Sequence, residues 1–418
     1  MTNKINLFSK VLIFLSVISL FIGLFFGEDS SGSGGSVADY KNTWGYIEAL
    51  KTNIFTLPGR WTVHTPFHYI IISQLDLLFQ NEIFLKLIFL FFCLSIPIFF
   101  FSCLRIKYPE ISINNLVLIT TIIFIFPAFR SSIIWVNAHA TAMIFFLIFL
   151  YFFLIWEKKK NYENKLSVNI FCQIFFLALT VYTRQYYAYF YAYLMVIYFT
   201  KFSLLNFFKI SIVVLILAVP GFALILAEPI VLKTTYNLNF SNTILINSSI
   251  ILFYLIPFYL LNWFENKKNF FNTIKNKKNL FLFILILLIT FFLNIKFNYN
   301  YKLGGGIFLK LSYLMLNNNI LFLLSSAFGL IILIDLYKRD KNNLFLILIF
   351  LIGFSAYMIF QKYFEPLLFV IFLLMINNNF VSNIISKIRN IYFLYLYFFT
   401  YLIVAIINDT FQITKNMI

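Results

Sequence analysis

The chain is a succession of long apolar runs, each about as long as a bilayer-spanning helix, parted by short clusters of lysine and arginine. A hydrocarbon layer about 30 Å thick takes roughly 20 apolar residues per helix. By that ruler spans are expected near 9–27, 82–104, 114–129, 133–156, 167–183, 186–200, 210–227, 247–264, 279–295, 313–336, 344–360, 365–378 and 391–408, and the full number at about 11–14. Of all residues 62% are hydrophobic and 11% charged, where soluble domains carry about 25% charge. So few polar groups cannot cover a surface that faces water. The runs lack the period-two alternation of barrel strands, and a helix satisfies every backbone amide within lipid. The expected fold is an all-α polytopic membrane helical bundle, one integral domain over 1–418.

The formal charge of +17 would suit a nucleic-acid partner only if the cations shared one surface. Instead they sit between apolar runs. With the loops alternated, Lys4, Lys10, Arg105, Lys107, Lys158, Lys159, Lys160, Lys201, Lys209, Lys267, Lys268, Lys275, Lys277, Lys278, Lys338, Arg339, Lys341, Lys387 and Arg389 fall on one side. The positive-inside rule makes that side cytoplasmic. The partner is then the lipid bilayer and not nucleic acid, with the N-terminus inside and the first span uncleaved for want of a small-residue cleavage site. Cys93, Cys103 and Cys172 show neither pairing nor metal-ligand spacing. No Walker or GxGxxG loop is present, so an energy-rich donor has to be met at the outer face.

On that outer side the chain gathers its unusual polar residues, which are costly near a membrane and default to functional candidates. The first loop, 28–68, opens with GEDSSGSGGSVADY and places three of the 15 acidic residues, Glu28, Asp29 and Asp39, within twelve positions. A short helix over Tyr40–Asn53 would set Tyr40, Trp44 and Ile47 on one face. Lying on the membrane surface as an amphipathic helix, it would hold Asp39 above the bilayer as a general base. Glu28 and Asp29 are secondary acidic candidates. A solvated or capping role is the plain alternative for each acid.

Further along, WTVHTPFHY brings His64 and His68 around Pro66, with aromatic rings suited to sugars or an interfacial belt. Pro66 prevents one helical face from presenting both histidines to a metal. No metal ligands are assigned, and a divalent cation is kept as a candidate cofactor. Arg184, between apolar runs and followed by Gln185 and two tyrosines, suits bidentate capture of a phosphate, or snorkels to headgroups. Lys362, Tyr363 and Glu365 in QKYFEP form another external cluster, Lys362 for phosphate and the others for sugar. His139 follows Arg130 just inside a span and is a candidate for the same cavity.

In layout the chain resembles the GT-C superfamily of polyprenyl-phosphate-sugar-dependent glycosyltransferases. It is most similar to the dolichyl-phosphoglucose-dependent alpha-1,2-glucosyltransferases. Ala38-Asp39-Tyr40 looks like their acidic loop motif, His64-Thr65-Pro66-Phe67-His68-Tyr69 like their Thr-Pro-Pro segment, and Thr183-Arg184-Gln185 like their Arg-Gln motif. Two departures concern donor and acceptor: Tyr40 follows Asp39 where the family pairs Asp with Glu, and Phe67 replaces the second proline. The resemblance implies inverting transfer of a sugar from a polyprenyl-phosphate donor to an acceptor glycan or glycolipid. In that reaction Asp39 is the base, Arg184 and Lys362 hold the donor phosphate, and His64, His68, Gln185, Tyr363 and Glu365 touch substrate. Composition points to a bacterial inner membrane with a periplasmic site. An envelope polysaccharide polymerase or ligase, and a lipid-linked sugar flippase, are the rival readings.

Overall fold

The structure, a computed structural model, describes residues 6–31, 35–55, 64–158, 167–227, 239–266, 277–356 and 358–410. Trp61, Lys159, Lys160, Lys267, Lys268 and Lys275 lie outside the described residues. Among the described residues all regular structure is helical. The chain forms two compact units, Met1–Thr235 and Tyr236–Ile418.

The first unit runs α1 (Leu7–Phe26), α2 (Ser36–Thr52), α3 (Phe67–Phe79), α4 (Glu82–Cys93), α5 (Ser95–Lys107), α6 (Ile113–Thr121), α7 (Pro127–Ile134), α8 (Ala138–Lys158), α9 (Val168–Thr183), α10 (Ala188–Lys201) and α11 (Leu204–Ala227). Its core is aromatic. Phe146 packs on Phe149, Tyr187 and Phe190 at centroid separations of 5.5, 5.0 and 4.8 Å. By contrast Phe208, Leu215, Ile216, Val219 and Phe222 of α11 are exposed. A face that apolar suits a lipid solvent and would be costly in water.

The second unit holds α12 (Phe240–Glu265), α13 (Lys277–Ile295), α14 (Gly306–Leu316), α15 (Ile320–Arg339), α16 (Leu344–Leu348), α17 (Leu367–Leu374), α18 (Phe380–Ser386) and α19 (Ile388–Thr410). Ser326 Oγ donates to Leu245 O at 2.8 Å, and Gly329 lies against Ser248. These pairs advance together, so α12 and α15 run parallel, their backbones brought close by a residue without a side chain.

Among the described residues seven helices are long and apolar enough to cross a membrane: Leu7–Phe26, Glu82–Lys107, Ala138–Lys158, Leu204–Ala227, Phe240–Glu265, Ile320–Arg339 and Ile388–Asp409. The pair Ile113–Ile125 and Pro127–Ile134, bent by 75°, raises the number to 8 if counted as one span. This falls short of the number expected by length alone, for identifiable reasons. Pro127 has no N–H to continue a helix, and the residue before it, Phe126, is extended. The run expected at 313–336 is cut at Asn317, whose φ is 48°. The runs expected at 344–360 and 365–378 become α16, one π-turn over Ile349–Gly353, a stretch whose described residues hold a single 3-10 turn at Gln361–Tyr363, and α17. Asn247 Nδ2 donates to Leu351 O at 3.0 Å, satisfying a carbonyl that the broken helix leaves open. By the length and composition of its helices, the chain is a multi-pass helical membrane protein.

Candidate active site at one end of the first unit

The acidic loop leaves α1 through Gly27, at φ 63°, and its three acids have three different fates. Glu28 receives Arg130 in a two-pronged pair, Nε to Oε1 at 2.6 Å and Nη2 to Oε2 at 2.7 Å. The same guanidinium reaches Ser19 Oγ at 2.8 Å and also Ser19 O. Arg130 is 3% exposed. A fork-on-carboxylate contact buried this deeply is strong and directional. Gly23 makes it possible, since a Cβ there would stand 2.6 Å from Glu28 Oε2 and 2.8 Å from Arg130 Nη2. Glu28 is therefore a clamp between α1 and α7, not a spare base.

Asp29 caps α2 from outside the helix. Its Oδ2 accepts from Val37 N at 2.9 Å, while Oδ1 accepts from Ser31 N at 3.1 Å and Ser31 Oγ at 2.6 Å. Both secondary acidic candidates thus serve the fold.

Asp39 sits in the first turn of α2 and is half-buried. That helix begins one turn before the expected Tyr40, because the Asp29 cap supplies an acceptor that a count from apolar residues does not see. A carboxylate in the first turn is favoured by the helix dipole. The expectation of a helix lying on lipid is corrected. Tyr40, Tyr46, Ile47 and Leu50 are buried, Tyr46 on Tyr69 of α3 at 5.7 Å. Tyr40 packs against Trp44 at 5.1 Å and Trp135 at 5.8 Å. Lys86 of α4 places its ammonium 4.9 Å from the Tyr40 ring and 4.0 Å from Trp135. Burial, joined by the charge of Glu82, pushes the Tyr40 phenol far up, so it stays protonated. The base candidate is therefore carried by a helix packed into protein.

The two histidines separate. His68 is 0% exposed, with Nε2–H donating to Val136 O at 2.9 Å and Nδ1 2.9 Å from Thr141 Oγ1. Burial lowers its pKa, a hydrogen bond to Val136 opposes this, and the Arg184 charge adds to the lowering. Both ring nitrogens of His68 are spent on protein, which removes it from the substrate-contacting set. Pro66 is the N-cap residue of α3, so His64 lies outside the helix that carries His68. His64, on the other side of it, is 2.7 Å from Arg184 Nη1 through Nε2. A guanidinium only donates, so His64 accepts.

Arg184 closes α9 with its N–H on Thr180 O at 2.8 Å and then turns its side chain inward, 2% exposed. Thr65 Oγ1 donates to Val181 O at 3.2 Å, tying the two segments of chain together. Among the described residues no carboxylate pairs with Arg184, and its Nε meets no acceptor. The contrast with Arg130 is direct: two buried guanidiniums in one unit, one with its counter-ion in place. Gln185 opens the following single turn and is half-buried. His139 Nδ1 lies 3.2 Å from Tyr186 Oη, beside Arg184 in sequence.

The Trp135–His139 turn joins these parts. Its Trp135 indole donates to Glu28 O at 2.8 Å and faces Tyr40; Asn137 Nδ2 donates to Ser36 O at 3.4 Å; Val136 O accepts from His68 Nε2; His139 reaches Tyr186. The helix bearing Asp39 and the segment bearing Arg184 are thereby brought to one end of the first unit.

The remaining candidates belong to the second unit. Glu365 is buried, 3% exposed, and its Oε1 accepts from Tyr254 Oη at 2.5 Å and Tyr401 Oη at 2.7 Å. Gln361 Nε2 donates to the same two hydroxyls at 3.2 and 3.1 Å and its Oε1 accepts from Ile307 N at 3.0 Å. Glu365 is thus a network acceptor inside protein rather than a rim group touching sugar. Lys362 and Tyr363 are half-buried, both against Phe360.

Sequence reasoning did not single out Trp135, Val136, Asn137 or Lys86. Only Trp135 offered a signal, as one of 5 tryptophans, beside a histidine within an apolar run. Among the described residues no group of three or more His, Cys, Asp or Glu converges as a metal site. No protein-family model, curated protein or solved structure matches the chain.

Proposed function

We propose that the protein is a membrane glycosyltransferase that moves a sugar from a polyprenyl-phosphate donor to an acceptor glycan or glycolipid at the non-cytoplasmic face. The observation that carries this is Arg184: a buried guanidinium that no described carboxylate neutralises, at the same end of the unit as the first turn of α2. A buried cation without a counter-ion is costly, and an anionic ligand removes the cost. The half-buried carboxylate of Asp39, from the loop that resembles the GT-C acidic motif, is the complementary group.

The chemistry is one displacement. The acceptor oxygen attacks the anomeric carbon as Asp39 takes its proton. The bond from that carbon to the phosphate oxygen breaks with inversion, and its electron pair leaves on polyprenyl phosphate. Arg184 stabilises the negative charge that grows on the leaving oxygen. Phosphate is already a good leaving group, so no general acid is called for. The basic ends of α5, α8 and α10, at Arg105, Lys107, Lys158 and Lys201, lie at the far termini from this loop. That supports placing the loop outside a bacterial inner membrane.

The test is incubation of the purified protein with a panel of polyprenyl-phosphate sugars and candidate glycan acceptors, following release of polyprenyl phosphate and glycosylated product. Asp39→Asn keeps the fold and abolishes transfer. Near wild-type turnover by that variant would exclude Asp39 as the base, and no turnover of any donor by the wild type would sink the reading.

A further inference from the structure

The turn that joins α7 to α8 is built against its own backbone preference. Asn137 N donates to Ser132 O at 2.8 Å and Val136 N lies 3.5 Å from Ile133 O, the paired bonds that close a helix when the residue after the cap turns left-handed. That residue is normally glycine. Here it is Val136, at φ 50°. Among the described residues two other non-glycine residues have positive φ, Gln80 and Asn317, and both are unbranched at Cβ. A β-branched residue in this region is a true outlier. Such strain persists only where the surroundings over-determine it, and it gathers at functional sites.

The surroundings that hold Val136 are the candidate site itself. On one side Trp135 is pinned by Glu28 O and covered by Lys86; on the other, Asn137 holds Ser36 at the start of α2. His68, wholly buried, clamps the Val136 carbonyl, and His139 continues to Tyr186.

We propose that Val136, with His68 as its clamp, is a positioning residue: the strained turn fixes the helix carrying Asp39 relative to the segment carrying Arg184. This rests on the transferase reading and assigns His68 a role in geometry instead of in substrate contact. A glycine at 136 would adopt the same φ without strain and would let the turn take other shapes. Tighter folding and poorer function are thus expected from one substitution, which no packing role would produce.

The experiment compares wild type, Val136→Gly and Val136→Asn in detergent. Three quantities are measured: the thermal unfolding midpoint, affinity for polyprenyl phosphate by tryptophan fluorescence, and turnover. The expectation for Val136→Gly is a midpoint equal to or above wild type with turnover lowered about tenfold or more, the scale set by small misplacements of reacting groups. Val136→Asn, which tolerates the left-handed region but is less free than glycine, should fall between. Wild-type binding and turnover with unchanged values in Val136→Gly would overturn the positioning role alone. A drop in midpoint parallel to the drop in turnover would also overturn it, since Val136 would then be ordinary packing. Failure of the wild type to bind polyprenyl phosphate would instead overturn the transferase reading, and the positioning role with it.

Discussion

Replacing each of the two buried arginines with methionine gives opposite results if their assignments are right. Arg130 spends Nε and Nη2 on Glu28 and Nη1 on Ser19, all within 2.8 Å. Arg130→Met leaves the Glu28 carboxylate largely buried without its counter-charge, a loss of about 3–5 kcal/mol. The Arg184 side chain makes one described hydrogen bond, to His64 at 2.7 Å, worth about 1 kcal/mol. Methionine keeps the packing of the stem and removes a desolvated charge that has no counter-ion, so stability should hold within about 1 kcal/mol or rise. For transfer, losing the group that faces the departing phosphate should cost roughly 2.7–4 kcal/mol, a 10²–10³-fold fall in turnover. Thermal unfolding in detergent followed by tryptophan fluorescence reads the first quantity, and polyprenyl phosphate release reads the second. If Arg184→Met unfolds as readily as Arg130→Met while its surviving folded fraction turns over normally, Arg184 is a structural cation and the proposed chemistry loses its leaving-group contact.

Asp29→Ala removes the acceptor that meets Val37 N and should cost about 1 kcal/mol. It should also speed hydrogen exchange at the first amides of α2 in particular; unchanged exchange there would show that the cap is dispensable. Gly329→Ala would place a Cβ 1.9 Å from the Ser248 carbonyl oxygen, forcing α12 and α15 apart at about 1–3 kcal/mol. An unchanged unfolding midpoint would mean that the two helices do not rely on this close approach.

Much of the architecture was open to reading. The positions of α1, α8, α11 and α19 follow from apolar length alone, because a helix that must satisfy its own amides in lipid has few alternatives. Length misled where local chemistry overrides it, as at Pro127, at Asn317 and at the π-turn before Gly353. At the site, Asp39 and Arg184 were visible as rare charges beside apolar runs. Glu28 and Asp29 stood beside them as secondary acids and His68 as a substrate contact, since an acid or an imidazole has the same letter whether it meets substrate, an arginine or a peptide carbonyl. The strain at Val136 had no sequence signal, because valine is commonplace in apolar runs and its φ is set by bonds from Asn137, Ser132 and His68.

Composition and the spacing of apolar runs were enough to make this a many-helix membrane protein and to order its rare polar residues along the chain. The reason is that burial of backbone amides in hydrocarbon depends on local length and polarity. Which charges are neutralised and which stand open was decided only by tertiary packing. Arg130 finds Glu28 across 102 positions of chain, and Arg184 has no such carboxylate among the described residues. A counter-ion acts through distance in space, and distance along the chain does not report it.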